Sequence, residues 1–105
     1  MTSPYLHVYP QEQWHSEALL IGNREALLAL RHAIDCALDH ETGGLTPFVN
    51  DGEGYDLAVV CADQKTIDSL TVPYTDELAS KDNSETAVPP YALPIVLEAF
   101  RKLRK

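Results

Sequence analysis

The segment from Asn23 to Asp39 is the feature that most constrains how this 105-residue chain can fold. Asn23 is suited to cap a helix, because its side chain can accept hydrogen bonds from the free amides of the first turn. Apolar residues then recur at helical spacing along one stripe, at Leu27, Leu30, Ile34, Ala37 and Leu38. This spacing predicts an amphipathic helix that buries the stripe and is stopped by Gly43-Gly44.

Short apolar or alternating segments on both sides of this helix have the composition of strands. They cover residues 5–9 and 17–21 before it and residues 46–49 and 55–61 after it. From Pro94, which suits a first helical turn, apolar residues recur to the C-terminus and predict a second helix. The polar, proline-ended segment 80–90 predicts a mobile loop.

These elements predict one α+β domain over residues 1–105. Its expected core is a single four-stranded, mainly antiparallel sheet in the order β-β-α-β-β, followed by a C-terminal helix. At this length one chain buries only a modest core, so an oligomer is expected.

The net charge of −8 limits the classes of partner. All the acidic residues precede residue 101, whereas half of the lysines and arginines lie in the last five positions. An acidic body repels a phosphate polymer, so general DNA or RNA binding is not expected, while a small anionic ligand in a local pocket is allowed.

The sequence shows no signal for a membrane or for export. No apolar run approaches the roughly 18 residues of a membrane span, and the first ten residues do not resemble a signal peptide. Cys36 and Cys61 have no second thiol nearby in sequence, which argues against a disulfide framework or a zinc site. A cytoplasmic location is predicted.

The stretch Asp51-Gly52-Glu53-Gly54-Tyr55 is open to two interpretations. It lacks the ligand spacing of an EF-hand, even with Asp56 included, so no metal site and no cofactor are predicted. Gly52 suits a positive φ angle in a turn, and Gly54 suits a bulge or a close approach. The stretch is therefore either a turn with solvated acids or a loop whose Glu53 and Tyr55 border a pocket.

Two further stretches carry residues suited to ligand chemistry. Gly22-Asn23-Arg24 places free helix amides beside a guanidinium and could hold an anion, although a helix also simply begins this way. Trp14-His15 combines a residue that can stack on a base with an acid or base near neutral pH, although a loop tryptophan also commonly covers a core. The sequence has neither a P-loop lysine nor GxGxxG.

An exposed leucine suggests how the expected homodimer forms. Leu28 falls about 100° from the centre of the predicted buried stripe. It lies among charged residues that include Arg31, so these two residues are predicted interface residues, although single exposed leucines are common.

Several of these segments together resemble a pattern found in short bacterial and phage proteins. The resemblance covers about residues 14–76 and includes Glu17 to Asn23, the apolar helix positions, Asp51 to Tyr55 and Pro73-Tyr74-Thr75. In size and acidity the chain is similar in type to small antiviral-signalling accessories, namely ring nucleases, phage sponges for cyclic nucleotides, and immunity proteins. A similarity of type assigns no residue a role.

Taken together, these features predict a pocket protein for a small anionic nucleotide such as a cyclic oligonucleotide, which is either only bound or also cleaved without a metal. In that role His15 would be the acid or base and Arg24 would hold the phosphate. The ligand-binding residues would be Trp14, Asn23, Glu53, Tyr55 and Tyr74. The alternative is an acidic immunity or adaptor protein that binds and blocks a basic protein partner.

Overall fold

The computed structural model describes residues 3–12, 16–73 and 87–104. The strands are β1 (Leu6–Tyr9), β2 (Leu19–Gly22), β3 (Thr42–Leu45) and β4 (Leu57–Val60), and the helices are α1 (Arg24–His40), α2 (Gln64–Ser69) and α3 (Pro94–Leu103), with a 3-10 turn at Pro90–Ala92. The prediction of an α+β fold with a C-terminal helix is confirmed. The loop predicted over residues 80–90 lies mostly outside the described residues.

The four strands form two separate sheets, so the predicted single four-stranded sheet is wrong. In one sheet β1 pairs antiparallel with β2, with His7 opposite Ile21. In the other β3 pairs antiparallel with β4, with Gly43 opposite Val59. Phe48, expected within a strand, makes only isolated bridges, so no continuous ladder joins the two sheets.

The third strand begins earlier than predicted because α1 ends without using a glycine. Glu41 adopts a left-handed conformation with φ 74°, and its amide donates to the Ala37 carbonyl. The chain therefore enters β3 at once, and Gly43-Gly44 lies inside this strand. A Cβ atom on Gly43 would lie 2.0 Å from the Ala33 carbonyl oxygen, so this glycine permits a close approach to α1.

The close approach of α1 to β3 decides which face of the helix is buried. The buried residues are Ala26, Ala33 and Ala37, with Leu30 partly buried. Leu27, Ile34 and Leu38 are 46%, 43% and 67% exposed, so the prediction that they are buried is wrong. Large side chains do not fit where α1 lies against Gly43. The helix is therefore oriented with its alanines facing β3.

The sheet β3–β4 lies between two helices. Neighbouring residues of a strand point to opposite faces of a sheet. Gly43 approaches Ala33 of α1, whereas the space beside Gly44 is filled by Leu103 of α3. Each face of this sheet is therefore covered by one helix.

Among the described residues, the contacts that anchor the sheet β1–β2 lie at the end near Leu6 and Gly22. Leu6 is fully buried, and Gly22 beside it lies close to Ala26 of α1. Further along the hairpin, Tyr9 and Leu19 are each about half exposed. In the part of the chain that the structure describes, no helix is long and apolar enough to cross a membrane.

Candidate functional site

An open groove lies on the exposed side of α1. It has a volume of about 490 Å³ and is lined by Arg24, Leu27, Leu28 and Arg31, which we call the arginine groove. Both leucines lie three or four residues from each arginine, the spacing at which side chains are neighbours on a helix. The four residues therefore form one continuous surface, with an apolar centre and a guanidinium at each end.

The two arginines of this groove have no carboxylate partner among the described residues. The ion pairs seen there join Arg101 to Glu98 and Arg104 to Asp56. Free guanidinium groups are unexpected on a chain with a net charge of −8. They leave the arginine groove as a local positive surface on an acidic protein.

The side chain of Asn23 makes three hydrogen bonds within the chain. Its Oδ1 accepts hydrogen bonds from the Ala26 amide at 2.9 Å and the Tyr5 amide at 3.2 Å, and its Nδ2 donates to the Ser3 carbonyl at 2.8 Å. It thus caps α1, as the sequence predicted, and holds the segment from Ser3 to Tyr5 that precedes β1. Because its own oxygen occupies the start of the helix, we place no ligand at the expected anion cradle.

The stretch from Asp51 to Tyr55 folds as a turn. Gly52 has a φ angle of 91°, as its position predicted, and the Glu53 amide donates to Asp51 Oδ1 at 2.9 Å. A Cβ atom on Gly54 would lie 3.2 Å from the ring of Phe48, so the turn packs closely on this ring. The Glu53 side chain is exposed and borders none of the depressions described here.

Tyr55, a predicted ligand-binding residue, ties the turn to the first hairpin. Its hydroxyl donates to the Leu6 carbonyl at 2.6 Å, and its ring is partly buried. Burial raises the pKa of the Tyr55 phenol, because the phenolate is disfavoured away from water. This contact gives Tyr55 a role in holding the fold.

The acids near this turn do not converge on one point. Asp56 binds Arg104 at 3.1 Å, whereas Asp51 accepts the bond from the Glu53 amide. Among the residues that the structure describes, no three His, Cys, Asp or Glu side chains come close enough to hold a metal ion.

The remaining pKa shifts arise from contacts that hold the helices. Hydrogen bonds from Thr66 lower the pKa of Asp63, which caps α2. In α3 a hydrogen bond from Arg101 lowers the pKa of Glu98, and the same pair raises the pKa of Arg101. These groups lie outside the arginine groove.

A second depression lies beside β1, with a volume of about 370 Å³; its lining includes Gly22 and Asn23 of the predicted anion cradle, whereas His7 and Tyr9, which also line it, are not among the predicted site residues. The Asn50 amide donates to His7 Nε2 at 3.3 Å, so Nδ1 carries the ring proton and donates to the Tyr9 hydroxyl oxygen at 2.7 Å. Both ring nitrogens are thereby engaged. Alternation along β1 places His7 and Tyr9 on one face, whereas the bond from Asn50 comes from a residue distant in sequence and could not be anticipated.

The predicted site residues are only partly brought together. Trp14, His15 and Tyr74 lie outside the described residues, so their roles stay predictions. Arg24, expected to bind a ligand, and Leu28 and Arg31, expected at an interface, form one surface. Leu27 was missed as a site residue because its apolar character indicated burial.

The geometry is the only guide to function, because the comparisons supply none. No protein-family model matches the chain, and no match is found among the curated proteins or the solved structures.

Proposed function

We propose that this protein binds a small anionic ligand of the nucleotide class in the arginine groove. The observation that carries the proposal is the pair Arg24 and Arg31, which have no carboxylate partner in the described part of the chain and lie on either side of two exposed leucines. Guanidinium groups bind phosphate through paired hydrogen bonds, and leucine side chains can pack against a base or sugar.

The dimensions of the groove suit such a ligand. Its volume of about 490 Å³ falls within the roughly 300 to 1,000 Å³ typical of small-molecule sites. Seven residues of helix separate the two arginines by roughly 10 Å along the axis, and their long side chains can converge. The groove is open, so it suits a ligand with more than one phosphate better than a single phosphate ion.

The lining of the groove favours binding over catalysis. Among the described residues, its lining contains no carboxylate, histidine, tyrosine or cysteine that could move a proton. Metal-independent cleavage therefore depends on His15, which lies outside the described residues. Incubation of a bound cyclic oligonucleotide in EDTA, with His15→Ala as the comparison, tests cleavage separately from binding.

The test of binding is a thermal-shift panel of cyclic mono-, di- and oligonucleotides, followed by calorimetry on the ligands that raise Tm. Arg24→Gln and Arg31→Gln should each weaken binding about tenfold or more, since a hydrogen bond to a charged group contributes about 1.5 to 3 kcal/mol. Arg101→Gln is the matched control, because Arg101 is an exposed arginine on another helix that is already paired with Glu98. A panel without any shift, or equal weakening by all three variants, would refute the proposal.

The acidic surface supports a second candidate, an adaptor that binds and blocks a basic protein. Asp35, Asp39, Glu41 and the turn acids Asp51 and Glu53 are all exposed, and opposite charge steers association. A panel without any nucleotide shift, together with salt-sensitive binding to a defined basic test protein, would favour this candidate. Arg24→Gln should then strengthen binding slightly.

A further inference from the structure

The outer edge of β2 is a free strand edge made of large apolar residues. Within the described residues β2 has one neighbour, β1. Leu19, Leu20 and Ile21 are consecutive and are 51%, 51% and 55% exposed. Side chains on both faces of the strand are thus in contact with solvent, which is unusual for an aliphatic strand.

The hydrogen bonds at the start of the hairpin show which amides of β2 point outward. The Asn23 amide donates to the Tyr5 carbonyl, and paired residues of antiparallel strands alternate between bonded and non-bonded. The backbone amides of Ile21 and Leu19 therefore donate to β1, whereas the backbone amides of Leu20 and Gly22 point away from it. The Leu6 amide, which points outward on β1, accordingly donates to the Phe48 carbonyl.

We propose that β2 pairs antiparallel with β2 of a second copy of this chain, in a homodimer with a continuous four-stranded sheet β1-β2-β2′-β1′. When the pairing is centred on Leu20, the outward amides of Leu20 and Gly22 meet the outward carbonyls of the partner strand. Residues 18–22 carry no charge, so this pairing brings no like charges into contact despite the net charge of −8.

The size of the exposed surface indicates how tight this dimer is. Val8, Tyr9 and the three β2 residues expose on the order of 400 Å² of apolar side chain, divided between the two faces of the sheet, so pairing along the β2 edge covers only part of it. A standard interface uses about 800 Å² from each partner, so this one is at the small end. We therefore expect a dimer that dissociates in the micromolar range.

The first experiment measures mass by light scattering from about 1 to 200 micromolar, a range around the dissociation constant expected for a small interface. The chain should change from monomer to dimer across this range. Leu20→Lys should remain a monomer at the highest concentration, because it places two ammonium groups at the two-fold axis. Leu97→Lys is the control, since Leu97 is 56% exposed on α3, and this variant should dimerise normally. Dimerisation of Leu20→Lys, or a monomer at all concentrations, contradicts the proposal.

The second experiment uses the unmodified chain, so it does not depend on the folding of a variant. Amide hydrogen exchange is followed by NMR at low and high concentration. The Ile21 amide should be protected at both concentrations, whereas the Leu20 amide should become at least tenfold slower only at high concentration. Equal exchange of the Leu20 amide at both concentrations would show that a dimer, if formed, uses another surface.

Discussion

The two sheets have the same size and the same pairing but opposite surroundings. Each consists of two antiparallel strands of four residues. The sheet β3–β4 contains two glycines and is covered by α1 and α3, whereas β1–β2 carries large aliphatic residues that are half exposed. A two-stranded sheet is at best marginally stable alone, and two helices cover the sheet β3–β4, whereas among the described residues no helix covers the outer part of β1–β2.

This difference shows that side-chain size alone does not identify buried positions. In the covered sheet the backbones approach so closely that glycine and alanine fill the contact. In the uncovered sheet leucine and isoleucine remain in solvent, as they do on the outer side of α1. Small residues therefore mark the closest contact between elements, whereas large apolar residues occur both in the core, as at Leu6 and Leu45, and on the two exposed surfaces for which we propose partners.

The largest loss of stability should come from adding a methyl group at the contact between β3 and α1. We expect Gly43→Ala to lower the free energy of unfolding by on the order of 4 kcal/mol, above the usual cost of overpacking, because the new methyl meets backbone atoms and no rotamer change can relieve the clash. Urea denaturation measures the change. Gly44→Ala, whose methyl meets the flexible end of Leu103 at 2.8 Å, should cost less. Equal costs would show that β3 is not held closely against α1.

An intermediate loss of stability is expected when a leucine in the covered sheet is truncated, and a leucine in the other sheet serves as the comparison. Leu45 in β3 is 8% exposed, whereas Leu19 in β2 is 51% exposed. Below the concentration at which the chain dimerises, Leu45→Ala should cost about 3 kcal/mol and Leu19→Ala less than about 1 kcal/mol.

Thermal and urea denaturation at two protein concentrations measure both variants. At high concentration the cost of Leu19→Ala should rise, because dimerisation buries this residue, while that of Leu45→Ala stays the same. If the two variants cost the same at low concentration, the hairpin is covered within one chain and the comparison between the sheets fails.

The smallest effect concerns the bond that ties the first hairpin to the rest of the chain. Tyr55→Phe removes the hydroxyl that donates to the Leu6 carbonyl and should cost about 1 kcal/mol in urea denaturation. Tyr91→Phe is the matched control, because Tyr91 is 69% exposed in the 3-10 turn and its hydroxyl has no hydrogen-bond partner among the described residues, and it should cost less than about 0.5 kcal/mol.

Tyr55→Phe should also change how the stability of the protein depends on pH above about 10. Burial raises the pKa of Tyr55 in the folded chain, so the unfolded chain loses this proton first as pH rises above about 10. The contribution of Tyr55 to stability is therefore full below that pH and declines above it. Tyr55→Phe should remove this part of the decline, and an unchanged pH profile would mean that the phenol is solvated.

The sequence predicted those parts of the fold that local chemistry determines. The cap at Asn23, the helix that follows it, the strand at β4 and the turn at Gly52 all depend on residues close in sequence. The rotation of α1 and the position of β3 depend on Gly43 approaching Ala33, a contact between elements. The periodicity of apolar residues could not predict the rotation of α1, because apolar residues occur on both sides of the helix.

The candidate site was predicted in separate pieces. Arg24 was chosen as a phosphate ligand, and Leu28 and Arg31 were chosen as interface residues. Helical spacing places all three on one surface, but only the burial of the alanines shows that Leu27 completes it. Asn23 and Tyr55 have the chemistry of ligand-binding residues, and their intramolecular partners are distant in sequence and could not be anticipated.

The single residue that joins α1 to β3 has a consequence for the kinetics of folding. Because only Glu41 separates the helix from the strand, Ala33 and Gly43 meet by closing a very short loop, and such contacts form with little loss of chain entropy. The bond from Tyr55 to Leu6 closes a loop of 49 positions. We therefore expect α1, β3 and β4 to belong to the early nucleus and the first hairpin to dock late, so that nascent chains expose β2 longest and are most prone to misassociate there.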